Sequence, residues 1–285
     1  MLTLLHDSSV ARLVQIALQE DVGTGDLTTE LTISGSARAR AVLLCKSDGV
    51  VCGLPVAEHV LRTLHDDIEF TARCAEGTRV SKGTVIAEVL GNAHAILSGE
   101  RTALNFIQRM SGVATMAHAF ASAIAHTNTK ILDTRKTIPG WRLLDKYAAQ
   151  CGGAVNHRMG LFDMIMIKDN HIAAAGGITG ALDAVRSEYE EDRVRIEVEC
   201  DTLHDVVEAL SHGGFHRIMF DNFSPEHLRK GVELVAGTKE TEASGGITLQ
   251  TVQQIAETGV DYISTGAITH SAPALDISME IMIGA

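Results

Sequence analysis

Positive charge is the first thing this sequence is short of. Against 36 aspartates and glutamates it sets 24 lysines and arginines, a formal net charge of -12. Binding to nucleic acid or to an anionic membrane depends on neutralising phosphates with cations, so neither is expected of this surface as a whole. No run approaches the roughly 20 apolar residues that span a bilayer. Met1–Val10 has no basic stretch leading into a long apolar one, so no secretory signal is expected either. The five cysteines (Cys45, Cys52, Cys74, Cys151, Cys200) are scattered and form no C-x-x-C pair. That pattern fits buried thiols in a reducing cytoplasm rather than disulfides or zinc. Several chemical motifs are also missing: the G-x-S-x-G elbow, the H-E-x-x-H pair, the Walker loop, and a G-x-G-x-x-G after the first strand. Hydrolase, nucleotide-triphosphatase and open dinucleotide-binding readings lose their main supports.

What remains is the composition of a globular α/β protein. The 285 residues are 45% hydrophobic and 21% charged, enough for one barrel of about 250 residues or a barrel plus a smaller unit. Val10, Leu13, Val14, Ala17 and Leu18 recur at helical spacing and predict an amphipathic opening helix over residues 8–20, ended by Gly23 and Gly25. From Arg38 to about Leu97 short β-type runs (AVLLCK, GVVCG, IEFTARC, TRV, TVIAEVLG) indicate a mainly β unit with a helix near Val56–His65. A long helical stretch then runs to Ala125. Beyond it apolar runs at 130–133, 153–156, 164–168, 194–199, 216–220, 241–244 and 261–265 alternate with helical segments, as parallel βα units do.

A barrel is favoured over an open sheet by what ends these runs, because barrel enzymes build their sites at the C-terminal ends of the strands. The endings are Asp133-Thr134-Arg135-Lys136, Asn156-His157-Arg158, Lys168-Asp169-Asn170, Glu199, Asp221-Asn222, Ser244-Gly245-Gly246 and Thr265-Gly266-Ala267. Between Arg135 and Lys168 the charge balance reverses: Arg135, Lys136, Arg142, Lys146, Arg158, Lys168 and His157 face only Asp145 and Asp163. Arg142 and Lys146, four apart, are expected to be solvated helix residues. Arg135, Lys136, Arg158 and Lys168 stand at strand ends and are expected to converge on an anion. Glu199 and Asp221 offer carboxylates for a divalent metal or sugar hydroxyls. Glu197 shares the strand side of Glu199, so alternation alone leaves open which of the two faces the site. Glycines in the last two loops suit phosphate on backbone N–H groups. His212 and His216 have metal-like spacing, but the intervening glycines favour a loop.

The runs DTRKTIPGWRLLDKYAAQCGGAVNHRMG and IKDNHI, with EDVGTGDLTTE, SGERTALNFIQRMSGVAT, IEVECDTL, DNFSPE, ASGGIT and GVDYISTGAITHSAPALDISM, closely resemble quinolinate phosphoribosyltransferase over nearly the whole chain. The resemblance implies an N-terminal α/β sandwich domain over residues 1–110 and an incomplete seven-stranded α/β barrel over 111–270. A C-terminal helix over 271–285, packing back on the first domain, is also expected. It implies transfer of the 5-phosphoribosyl group of phosphoribosyl pyrophosphate to quinolinate, with loss of CO2 and pyrophosphate, giving nicotinate mononucleotide for NAD synthesis in the cytoplasm. Carried over, Arg135, Lys136, His157, Arg158 and Lys168 surround the quinolinate carboxylates and pyrophosphate, with Thr134 beside them. Glu199 and Asp221 meet the ribose hydroxyls and Mg2+. Ser244, Gly245, Gly246, Thr265, Gly266 and Ala267 take the 5-phosphate. Lys136, Glu199 and Asp221 carry the catalytic roles. The family further implies a homodimer, or a hexamer built as a trimer of dimers, in which Arg101 reaches the neighbouring site. Ile138 and Trp141 stand where the family often has a smaller or aliphatic residue. On the residues alone, a phosphosugar aldolase using Lys168 as a Schiff base and a non-catalytic anion-binding relative also remain open.

Overall fold

The computed structural model describes residues 7–188 and 193–284. The chain falls into two compact units. The first holds the residues up to His118, Ile138–Gly153 and the stretch from Ser271; the second holds Ala119–Thr137 and Ala154–His270.

The chain opens with α1 (Ser8–Asp21), capped by the Asp7 side chain, which accepts the Ser9 N–H at 2.8 Å. Its buried stripe is Val10, Val14 and Leu18, four residues apart and so on one face. Gly23 (φ +57°) and Gly25 (φ +148°) then turn the backbone where a side chain would be strained. Asp26 starts α2 (Leu27–Thr32), accepting both the N–H and the hydroxyl of Thr29. There follow β1 (Arg38–Cys45), β2 (Gly49–Val50), α3 (Leu54–Leu64), β3 (Glu69–Ala72), β4 (Arg79–Val80), β5 (Val85–Asn92) and α4 (Ala93–Ala123). Next come β6 (Lys130–Leu132), α5 (Arg142–Cys151), β7 (Ile165–Ile167), α6 (Asp169–Ala175) and α7 (Ile178–Glu188). After these lie β8 (Ile196–Cys200), α8 (Leu203–His212), β9 (Arg217–Asp221) and α9 (Pro225–Val235). The chain ends through β10 (Glu240–Ser244), α10 (Val252–Ala256), β11 (Tyr262–Ser264), α11 (Ala267–His270) and β12 (Ile277–Ile283).

In the first unit a four-stranded sheet runs in the order β12-β1-β5-β3, with antiparallel pairs throughout. The last segment, expected to be a helix, is therefore a strand: Ile277–Ile283 pairs with Cys45–Ala39 residue for residue. Its alternation of buried Ile277 and Met279 with exposed Glu280 is the period of a half-buried strand, and β1 offers it an edge. Lys146, expected in solvent, is fully buried on α5, whose inward face extends over Leu144–Ala149. Trp141 precedes that helix and stacks on Phe106 at 4.9 Å between ring centroids, which gives the large side chain its local packing.

In the second unit six parallel strands run in the order β6-β11-β10-β9-β8-β7. Every residue of β8 is buried, as a strand covered on both faces requires. The run near 153–156 shrinks to one parallel bridge, Leu132 to Val155, on the far side of β6. Among the described residues nothing pairs Val155 with β7, so the barrel has a seam there. Among those residues, too, no helix is long and apolar enough to cross a membrane, and all five cysteines are free thiols.

Candidate active site

The C-terminal ends of the second unit's strands surround a cavity of about 440 Å³. One wall is cationic, with Arg135 and Lys136 following β6, Arg158 in the seam segment and Lys168 following β7. The opposite wall carries Glu199 on β8 and Asp221 on β9. Ser244, the last residue of β10, and Gly245 and Gly246 after it complete the rim.

Asp133, fully buried at the end of β6, organises the cationic wall. Its carboxylate accepts the His157 backbone N–H at 2.8 Å and the Asn156 side-chain amide at 2.5 Å. Thr134 accepts the Lys136 N–H at 3.0 Å, which tightens the turn that presents Lys136. Arg158 donates to the Met164 carbonyl at 3.1 Å, holding the guanidinium across the seam. Burial first, and then the Arg135 charge, lower the Arg158 pKa, so like charges crowd here in a way that an anion would relieve.

The acidic wall is the mirror case. Oxygens of Glu199, Asp201 and Asp221 lie within 4.8 Å of one another. Burial and then the Asp221, Asp205 and Asp169 charges raise the Asp201 pKa, while Lys168 opposes the rise. Lys168 pairs directly with Glu199, joining the two walls.

His157 lies at the pocket floor with its Nε2 3.1 Å from Glu197 and 3.5 Å from Glu242. Two influences oppose each other on its ring. Burial disfavours the imidazolium, and the Arg158 backbone N–H, 2.7 Å from Nδ1, requires that nitrogen's lone pair. The two carboxylates favour the charged ring and push the pKa up to about 9. In the geometry seen, with the Arg158 N–H on Nδ1, the ring carries its proton on Nε2, toward Glu197.

This two-walled anion pocket stands in a chain that matches two family models in succession. They are the quinolinate phosphoribosyl transferase N-terminal domain over residues 26–111 and its C-terminal domain over 113–280. The chain belongs to the quinolinate phosphoribosyltransferase family. A quinolinate phosphoribosyltransferase [decarboxylating] 1 of Nicotiana glauca is 46% identical, over 94% of this chain and 81% of that protein. A probable nicotinate-nucleotide pyrophosphorylase [carboxylating] of Bacillus subtilis is 45% identical, over 93% and 90%. The crystal structure of NadC from Streptococcus pyogenes superposes with a TM-score of 0.94 at 36% identity, covering 100% of this chain and 99% of that one.

In this quinolinate phosphoribosyltransferase family member the geometry brings Thr134, Arg135, Lys136, His157, Arg158, Lys168, Glu199, Asp221, Ser244, Gly245 and Gly246 to one cavity. Thr265, Gly266 and Ala267 do not line it; Ser264, at the end of β11, does. Gly266 instead lies against Lys136, where an added Cβ would come within 2.8 Å of the lysine Cδ. Arg101 is exposed on α4 of the first unit. Glu197 and Glu199 both face inward, one above the other: Glu199 reaches the cavity and Glu197 lies a layer deeper. His212 pairs with Asp183 and His216 accepts the Ile196 N–H, so the two do not form a metal site.

Sequence reasoning missed Met166, Met219 and Glu242, which also line the cavity. Each stands two residues before a predicted site residue (Lys168, Asp221 and Ser244), on the same side of its strand. The period of two, counted inward from each strand ending, is the signal that points to them. Asp201 and Asn222 carry no such signal.

Gly245 (φ +99°) cannot carry a side chain here: a Cβ would lie 2.1 Å from the Asn222 Oδ1 and 2.9 Å from its backbone N. Gly245→Ala is expected to raise KM for phosphoribosyl pyrophosphate by about tenfold or more through displacement of this rim. Steady-state kinetics on the folded variant would measure it, and an unchanged KM would contradict the loop's role.

Proposed function

We propose that this cavity is where the chain transfers the 5-phosphoribosyl group of phosphoribosyl pyrophosphate to quinolinate, releasing CO2 and pyrophosphate and giving nicotinate mononucleotide for NAD synthesis. The observation that carries the assignment is the pairing of a cationic wall with a carboxylate wall across one cavity at the strand ends. Both substrates are polyanions that meet through a carbon acquiring positive charge, and the two walls match these demands.

Arg135, Lys136, Arg158, Lys168 and the His157 floor hold the quinolinate carboxylates and the pyrophosphate. Thr134 shapes the turn that offers Lys136. The ribose hydroxyls lie toward Glu199 and Asp221, and the 5-phosphate at Ser244–Gly246, with Gly266 packed behind Lys136 between Thr265 and Ala267. The pyridine nitrogen attacks the anomeric carbon as its bond to the pyrophosphate oxygen breaks, and that electron pair leaves with the pyrophosphate. Lys136 neutralises the departing charge, while Glu199 and Asp221 stabilise the positive charge that develops on the ribose. The nitrogen, now cationic, withdraws the electrons of the adjacent ring–carboxylate bond, CO2 departs, and a proton takes its place on the ring. No protein nucleophile is required; positioning and electrostatics provide the catalysis.

Mg2+ suits the acidic wall because Glu199, Asp201 and Asp221 present hard oxygen donors close together and crowd like charges. When bound, the ion supplies positive charge to the pyrophosphate oxygens. The protein is further proposed to be cytoplasmic and to act as a homodimer, or as a hexamer of three dimers, in which Arg101 of one chain serves the pocket of the next.

The test is an assay with quinolinate, phosphoribosyl pyrophosphate and magnesium, detecting nicotinate mononucleotide. Product should form, and chelation with EDTA should remove at least about nine-tenths of the turnover, restored by added Mg2+. Undiminished activity in EDTA would overturn the metal assignment. A covalent adduct trapped on Lys168 by borohydride would overturn the reaction in favour of a Schiff-base enzyme.

A further inference from the structure

Lys136 stands past the end of β6, in the irregular stretch before α5, and is exposed to solvent. A lysine so placed ordinarily samples many rotamers, and ordering it for catalysis costs conformational entropy. Its main chain, however, is held on both sides by threonine hydroxyls. The Lys136 N–H donates to the Thr134 Oγ1 at 3.0 Å, and the Lys136 carbonyl accepts the Thr269 hydroxyl at 2.8 Å. Thr269 is fully buried on α11. The Gly266 carbonyl also lies 3.1 Å from that hydroxyl, but it already accepts the N–H groups of Thr269 at 3.0 Å and His270 at 2.9 Å. Both of its lone pairs are thereby used, and the single hydroxyl hydrogen goes to Lys136.

The Lys136 side chain is guided from the same turn. Gly266 does not adopt a left-handed φ, so space rather than backbone conformation calls for glycine. A Cβ there would come within 2.8 Å of the Lys136 Cδ and of the His270 Cδ2. The turn is itself anchored on both sides. The Thr265 N–H donates to the Leu132 carbonyl at 3.2 Å, where β6 ends, and the Thr265 hydroxyl donates to the Ile247 carbonyl at 3.1 Å, next to Gly246 of the rim.

We propose that Thr269 and Gly266 are positioning residues that hold Lys136 toward the departing pyrophosphate, Thr269 by gripping its carbonyl and Gly266 by leaving its stem a path. This rests on the role of Lys136 in the proposed reaction, and it gives the turn between β11 and α11 a task other than lining the phosphate pocket.

Thr269→Val keeps the shape and removes the hydroxyl. The expected result is a kcat lowered about tenfold with the KM for quinolinate within about threefold, and Thr269→Ser restoring most of the rate. Quinolinate binding is spared because Asp133 and the Met164 carbonyl hold His157 and Arg158 independently. In a Lys136→Ala background the same substitution should cost no further rate, since its effect passes through Lys136. A kcat within about twofold of the wild type, a quinolinate KM raised as much as kcat falls, or an undiminished loss on top of Lys136→Ala would overturn the proposal. Should Thr269→Val fail to fold, Gly266→Ala decides, because its methyl group first meets the movable ends of two side chains. A loss of about tenfold in kcat that vanishes in the Lys136→Ala background supports the proposal, and a loss that persists there runs through His270 and overturns it. If the wild-type chain made no nicotinate mononucleotide, the assigned reaction would fail, while a crystal structure of Gly266→Ala would still decide the bracket: a displaced Lys136 side chain supports it, and one left in place overturns it.

Discussion

Arg158→Ala should lower kcat/KM for quinolinate by about a thousandfold, close to 4 kcal/mol of transition-state stabilisation. The guanidinium is part-buried, aimed by its bond to the Met164 carbonyl and set beside Arg135, so its charge acts where water is scarce. Arg158→Lys should recover only part of the loss, because a lysine offers a point charge rather than a planar fork. Stability should move the other way or hardly at all, since deleting one of two crowded cations relieves repulsion in the empty pocket. A melting temperature within a few degrees of the wild type, measured beside the kinetics, would separate this loss from unfolding. If turnover with quinolinate stayed essentially unchanged, the cationic wall would have been assigned wrongly.

Asp133→Ala should instead strike stability first. The side chain is fully buried and accepts both the His157 N–H and the Asn156 amide. Its removal leaves those donors in an interior with no water to replace the acceptor, at roughly 1–3 kcal/mol each. A loss of about 3–5 kcal/mol in urea unfolding is expected, together with a quinolinate KM raised because the floor at His157 is no longer held. A loss below about 1 kcal/mol would show that the carboxylate is not the anchor of this segment.

Much of the second unit and its pocket is legible in the amino-acid sequence, and the reasons are local. The parallel strands carry continuous apolar runs with polar endings, and those endings locate the pocket because strands that run the same way deliver their last residues to the same face. The charge reversal from Arg135 to Lys168 marks the cationic wall. The depth of the site is not legible: Glu197 and Glu242 look like ordinary strand glutamates until the register stacks them under His157. Nor does periodicity distinguish the final strand from a helix, since a seven-residue apolar stretch needs a partner edge before its conformation is decided. Lys146 defies the expectation of a solvated side chain because lysines on helices usually reach water, and only the packing of α5 buries this one.

The seam of the barrel has a consequence for how this site tolerates change. Between Val155 and β7 there is no ladder, and the backbone N–H groups of His157, Arg158, Met159 and Gly160 donate in turn to side chains of Asp133, His157, Asp163 and Asp163 again. A paired strand keeps its course whatever its side chains are, because neighbouring carbonyls hold it. Here the course of the chain is written into three side chains, so the segment that presents Arg158 has little neutral sequence drift open to it. Substitutions that a ladder would absorb without notice would here re-route the main chain through the substrate pocket.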